Sequence, residues 1–202
     1  MTGQLAAPAP TARAVVAIDP SLTNTAIAVW YVDGAWTEAR LAGVRSAPRS
    51  EWSSLEAWVR EVLGDRAWVG VVEKPPHVKV GGFCAPSVAV EHWRDFLGQL
   101  AQERALERDV RYARPTILAP LPSQWRAPIG LPSKGIGRTQ AARRAWLKAR
   151  SIAFARLHEW PIANDDEAEA AAIGYWAVRC AVRLDRNPLP GARAGDPLRF
   201  VP

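Results

Sequence analysis

Four acidic positions carry the chemistry this sequence could perform. Asp19 ends the apolar run Ala14–Ile18 (AVVAI) and is followed at once by Pro20. Glu73 ends a second apolar run, Trp68–Val72 (WVGVV), before Lys74 and Pro75-Pro76. Asp166 and Glu169 lie in the acidic cluster that follows Asn164. A carboxylate beside a buried strand is costly unless it is paired, protonated or bound to a cation. Open sheets place their sites just beyond such strand ends. Asp166 and Glu169 are three apart and share a helix face, which continues through Ile173, Trp176 and Cys180. That face is acidic for one turn and apolar afterwards, so packing its apolar part on a sheet aims both acids at the sheet's edge. Hard oxygen donors suit Mg2+, and two such ions can activate water and stabilise a leaving oxygen in phosphodiester cleavage.

Each acid taken singly has a plainer role. Asn164 and Glu167 have capping-box spacing, and acids in a first helical turn complement the helix dipole, a role to which Asp165 and Glu167 are assigned. Asp19-Pro20 can simply terminate a strand, and Glu73 can be a surface acid. It is the four together, in a chain of net charge +6, that suit a divalent-cation site facing a polyanion.

The elements that must position these acids follow from the apolar pattern. Ala14–Ile18 predicts a buried strand, Thr25–Val32 (TAIAVWYV) a second, and Ala35–Val44 a third across the Asp33-Gly34 turn. Ser50 is the expected N-cap of a helix carrying Trp52, Leu55, Val59 and Val62 on one face. Trp68–Val72 is the fourth strand, and Ser87 the expected cap of a long helix ending near Glu107. Val110–Leu118, interrupted by Pro115, is a short or irregular fifth strand. A Pro- and Gly-rich loop, Ala119–Gly137, precedes a helix from about Gln140 to His158, and a last helix begins after Asn164 and runs to about Leu184. Three hairpin-linked strands followed by alternating strands and helices predict a mixed sheet covered by helices.

Composition bounds the rest. At 202 residues and 22.1 kDa, one compact domain over 13–184 is expected, with a disordered arm at 1–12 and a flexible tail at 185–202. No apolar run approaches the roughly 18–20 residues of a membrane span, and no secretory signal is expected, so the expected location is cytoplasmic. Cys84 and Cys180 stand far apart without zinc-like spacing, and His77, His92 and His158 are scattered. A disulfide framework, a cysteine metal site and a histidine-based triad are therefore set aside. Gly135-Ile136-Gly137-Arg138 falls short of a P-loop, so no small-molecule cofactor is expected. Only four basic residues are lysines, and arginine's planar fork suits phosphate. Arg143, Arg144, Lys148 and Arg150 form a basic stretch that reads either as a solvated helix face or, with Arg126, Lys134 and Arg138 before it, as a phosphate-tracking surface. The ten tryptophans sit mostly at core spacing.

The ordered set of motifs resembles the RuvC-type Holliday junction resolvases of the RNase H-like superfamily. Asp19-Pro20-Ser21 with Thr23-Asn24-Thr25 resembles the family's opening I-D-P-G-S strand and its T-G hairpin. Val71-Val72-Glu73 resembles the fourth strand with its second catalytic acid, and Asp166-Glu167-Ala168-Glu169-Ala170 the D-x-x-D-A helix start. Pro122-Ser123-Gln124-Trp125-Arg126 resembles P-T-Q-V-K, and Arg138-Thr139-Gln140 a later K-S-Q. The resemblance spans about residues 14–184. It implies an α/β, RNase H-like mixed five-stranded sheet, three antiparallel strands and then parallel ones, flanked by helices. By the same match Asp19, Glu73, Asp166 and Glu169 are the catalytic acids, holding Mg2+ or Mn2+, two ions per site. The implied activity is resolution of four-way DNA junctions in recombination and repair by a homodimer. Another structure-selective nuclease of the fold, acting on flaps or RNA–DNA hybrids, and a catalytically silent DNA-binding relative are the alternatives.

Departures from the pattern are specific. Ser21 replaces a glycine, Glu169 replaces an aspartate, and Arg126 and Arg138 stand where the family has lysines, with Lys134 nearby. The junction-wedging aromatic beyond the second acid has no direct match, although His77 and Phe83 lie in that loop. Lys74, Lys79, Arg126, Lys134, Arg138 and Arg143 are the expected DNA contacts. The long helix from Ser87, with Val88, Val90, Trp93 and Leu97, is the expected dimer element.

Overall fold

Strand parity determines which layer each residue of this chain joins. In the computed structural model, which describes residues 13–33, 38–74, 85–107, 116–181 and 199–200, β1 (Arg13–Asp19) alternates between two cores. Val15 and Ala17 face one, while Ala14, Val16 and Ile18 face the other. β1 pairs antiparallel with β2 (Thr25–Val32), which pairs antiparallel with β3 (Glu38–Ala47). On its other side β1 pairs parallel with β4 (Ala67–Val72), and β4 pairs parallel with β5 (Ile117–Leu118). This is the mixed sheet with the strand directions expected for the RNase H-like fold. A sixth strand, β6 (Arg199–Phe200), adds parallel to the outer edge at Glu38–Ala39, inside a tail expected to be flexible throughout.

Helices cover both faces. On one lie α1 (Trp52–Leu63) and α2 (Ala85–Glu107), whose Leu55, Val59, Trp93 and Leu97 pack on Val16, Ile18, Ile27 and Val72. On the other lie α3 (Pro122–Arg126), α4 (Gln140–Leu157) and α5 (Asp165–Trp176). Here Trp125 and Ala170–Ile173 pack on Val15, Ala17, Ala28 and Val71. Helix α5 is small along its buried length (Ala168, Ala170, Ala171, Ala172, Gly174), which lets its backbone approach the sheet closely. A Cβ on Gly174 would stand 2.3 Å from Trp30 Cδ1 and 3.2 Å from Ala17 Cβ.

Several sequence expectations are corrected. The third strand is described over Glu38–Ala47 and ends three residues beyond the expected Val44, while the expected residues 35–37 lie outside the described residues. Pro48 is followed by a 3-10 turn over Arg49–Glu51, so α1 begins at Trp52 and Ser50 lies inside that turn. Helix α2 starts at Ala85, two residues before Ser87. The fifth strand is described at Ile117–Leu118, the expected residues 110–115 lying outside the described residues, and the loop expected over Ala119–Gly137 contains α3 and a 3-10 turn, Ala127–Ile129. The last helix ends at Trp176 and continues as a π-turn, Ala177–Ala181. Val90, Trp93 and Leu97 are buried against this chain's own sheet, so the apolar face of α2 is core and the expected dimer element has no free apolar stripe there. The arm at 1–12, most of the tail, and His77, Lys79, Phe83 and Cys84 lie outside the described residues. Among the described residues no helix is long and apolar enough to cross a membrane.

Candidate active site

Parity and register bring Asp19 and Glu73 together. Asp19 lies two residues beyond Ala17 and Glu73 two beyond Val71, so both follow the strand face that α5 covers. The parallel pair Ile18–Val72 places them side by side, and the Glu73 N–H donates to the Ile18 carbonyl at 3.0 Å. Their side chains are hydrogen-bonded to each other. Helix α5 then delivers its first turn to the same place. Asn164 caps it, its side chain accepting from the Glu167 N–H at 2.9 Å. Half of the expected capping box forms. The Glu167 carboxylate reaches past Asn164 to accept from the Ala163 N–H at 2.7 Å and from Ser46 Oγ at 2.9 Å. Buried Glu167 is thus a tie between α5 and β3.

The four expected acids converge electrostatically. Burial raises the Asp19 carboxyl well above the usual carboxylate range, and the charges of Glu73, Glu169 and Asp166 and the hydrogen bond with Glu73 all push the same way. Burial likewise pushes Glu73 up to about 7. Its hydrogen bond from Trp125 opposes this, Glu169 adds to it, and Arg126 and the bond with Asp19 oppose it. Trp125 Nε1 donates to Glu73 Oε1 at 2.6 Å from a fully buried ring.

The helix acids have cationic partners. Arg126, 4% exposed, donates to Glu169 and stacks its guanidinium over the Trp125 ring, Cζ lying 4.5 Å from the centroid. Ser151 Oγ lies 3.3 Å from the same Glu169 oxygen and 3.4 Å from Arg126 Nη1. Both oxygens of Asp166 are engaged: Lys148 Nζ donates to Oδ1 at 2.7 Å and Asn24 Nδ2 to Oδ2 at 2.7 Å. Lys148 also pairs with Asp165. Burial alone lowers the Lys148 ammonium's pKa, but its hydrogen bonds to Asp165 and Asp166 outweigh that and hold it above the ordinary lysine value. For Asp165, burial raises the carboxyl and the Lys148 hydrogen bond, with the Lys148 and Arg144 charges, brings it below its ordinary value.

The expected DNA contacts divide. Lys74, Lys134, Arg138 and Arg143 are exposed. The loop carrying Lys134 and Arg138 is folded tightly onto α4: a Cβ on Gly135 would stand 2.2 Å from the Arg143 carbonyl oxygen, and Arg143 Nε donates to the Gly137 carbonyl at 2.8 Å. Arg126 is instead buried against Glu169, and Lys79 lies outside the described residues. Sequence reasoning missed Asn24, Lys148 and Ser151 as partners of the acids. Lys148 was one member of a basic stretch, and nothing in that stretch says which side chain meets the neighbouring helix.

The donor chemistry fits hard divalent cations: four carboxylates from β1, the end of β4 and α5, and on Asp19 no opposing influence. Among the described residues, however, no three His, Cys, Asp or Glu side chains are gathered closely enough to hold a metal ion as they stand. Glu169 is drawn to Arg126, and Asp166 is spanned between Lys148 and Asn24.

No family model and no curated protein matches this chain. Among solved structures, Thermus thermophilus RuvC in complex with a Holliday junction substrate is similar at 19% identity and TM-score 0.48, over 84% of this chain and 96% of that one. The fowlpox virus resolvase with Holliday junction DNA is similar at 16% identity and TM-score 0.48, over 82% of this chain and 96% of that one. The fowlpox virus resolvase alone is similar at 13% identity and TM-score 0.47, over 82% and 97%.

Proposed function

We propose that this chain is a metal-dependent endonuclease that resolves four-way DNA junctions by paired phosphodiester hydrolysis, acting as a homodimer. The observation that carries the reading is the convergence of Asp19, Glu73, Asp166 and Glu169 from three separate elements, with Asp19 and Glu73 both pushed upward, chiefly by burial, and both raised further by the charge of Glu169. A cluster of carboxylates at a sheet's edge, raised by burial, suits a divalent cation of small radius. The order of the D-P-S, V-V-E, P-S-Q-W-R and D-E-A-E motifs along the chain supports a junction resolvase over other nucleases of the fold.

In this reading Asp19 and Glu73 form the fixed half of the site, and Asp166 and Glu169 the half carried by α5. A pair of Mg2+ or Mn2+ ions held there would supply an acidified water and charge stabilisation for the departing 3′-oxygen. The protein's own contribution is positional. Trp125 orients Glu73, Arg126 and Ser151 orient Glu169, and Asn24 orients Asp166. Exposed Lys74, Lys134, Arg138 and Arg143 would hold backbone phosphates, positioning the strand without reading its sequence. Two copies, each cutting one strand, account for paired incision.

Asp166→Asn tests the reading. The variant keeps the side chain's shape and loses one acceptor, toward Lys148 or Asn24, so it should still fold and bind a four-way junction, while Mg2+-dependent cleavage is lost. Undiminished cleavage by Asp166→Asn would overturn it.

A further inference from the structure

We propose that Lys148 is a built-in competitor of the divalent cation at Asp166, and that once displaced its ammonium serves the DNA backbone. The inference rests on the nuclease reading above and concerns how that same site is filled. Each Asp166 oxygen already accepts a hydrogen bond: Lys148 Nζ donates to Oδ1 and Asn24 Nδ2 to Oδ2, each at 2.7 Å. A divalent ion at this carboxylate shares its oxygens with these donors, and competes directly with the charged one.

The two are unequal. Asn24 is neutral, and its amide can turn to present its carbonyl oxygen, an acceptable ligand for a hard cation. Lys148 carries a full charge that a divalent ion repels at close range. Lys148 also has somewhere to go. Its second partner, Asp165, is the more exposed of the two carboxylates (32% against 19%), and the lysine itself is 23% exposed on a flexible stem. One helical turn earlier on the same face lies exposed Arg144, close enough for its charge to act on Asp165. Arg143 and Arg150 are exposed on the same helix. An ammonium that leaves Asp166 toward solvent therefore joins a row of cations beside the site, where a phosphate is the complementary group.

The design has a functional consequence. Lys148 keeps Asp166 neutralised until a divalent ion displaces the ammonium, and a polyanion beside the site makes that displacement easier. Metal binding and DNA binding are then coupled, since each provides what the other displaces.

Calorimetric titration of the full-length protein with MgCl2 tests the first half, using Lys148→Met, which keeps the stem, and Lys148→Arg, which keeps the charge. Lys148→Met should bind Mg2+ about tenfold more tightly than the parent, and Lys148→Arg should stay close to the parent. Salt dependence of four-way junction binding in CaCl2 tests the second half, with Lys148→Met showing a log–log slope smaller by about 1. Thermal melting confirms that each variant folds, and Lys148→Gln replaces Lys148→Met if the latter melts early. Equal or weaker Mg2+ binding by the neutral variants, or an unchanged salt slope, overturns the inference while leaving the nuclease reading intact. A parent protein that binds no Mg2+ at all overturns both.

Discussion

The Trp125 indole N–H donates to Glu73 Oε1 at 2.6 Å, from a side chain that is fully buried between the sheet and α5. One residue thus fills the core and holds a carboxylate of the proposed site, and the two roles can be separated. Trp125→Phe keeps most of the apolar volume and removes the donor. Because this hydrogen bond lowers the Glu73 pKa, its loss should move the acid limb of the pH–cleavage profile to higher pH. Hydrogen bonds to charged groups contribute about 1.5–3 kcal/mol, so cleavage at neutral pH should fall by one to two orders of magnitude, roughly. An unchanged profile with normal folding would show that the bond does not position Glu73.

Gly174 offers a test of the packing that seats α5. In an exposed helix interior, Gly→Ala stabilises by about 1 kcal/mol. Here the added methyl meets Trp30 at 2.3 Å, and overpacking costs about 1–3 kcal/mol. Gly174→Ala should therefore lower the midpoint of urea unfolding. It should also weaken Mg2+ binding, because displacement of α5 moves Asp166 and Glu169 away from Asp19 and Glu73.

The coupled acids predict an unusual pH dependence of stability. Glu73 sits at about 7 in the folded chain against an ordinary 4.5. Between these values the native state holds more proton than the unfolded state, so stability falls as pH rises through that window, by about 1.4 kcal/mol per pH unit where Glu73 alone titrates. Asp19, also raised, acts in the same direction. Urea unfolding in EDTA should show greater stability at pH 5 than at pH 8, the reverse of a protein whose carboxylates are paired with cations. Mg2+ should raise stability more at pH 8 than at pH 5, since it binds the ionised acids. Equal stabilisation at the two pH values would contradict the assignment of Asp19 and Glu73 to a cation site.

Much of this was legible in the sequence because strands have a period of two. The runs AVVAI-D and WVGVV-E end in acids, and counting back from each acid to Ala17 and Val71 gives the face that α5 covers. The helix acids were legible as well, since Asp166 and Glu169 share a face with Ile173. What stayed hidden depends on how elements meet. Lys148 lies in a basic stretch where neighbouring Arg144 and Arg150 are exposed, and only the packing of α4 against α5 turns this one cation onto Asp165 and Asp166. Arg126 follows a tryptophan in a proline-rich segment that reads as loop. The short helix Pro122–Arg126 buries both, converting an expected phosphate contact into a partner for Glu169. Glu167 reads as a cap, but its carboxylate reaches Ser46, 121 positions away, a tie that local spacing does not encode.

The measurement that bears most directly on the whole account is a side-by-side digestion of a four-way junction, a flap and an RNA–DNA hybrid in MgCl2, with products sized on denaturing gels. The account predicts paired, symmetric nicks in the junction, none without metal, and little or no cutting of the other two substrates. Preferential cutting of the flap or the hybrid, or junction cutting that persists in EDTA, would contradict it.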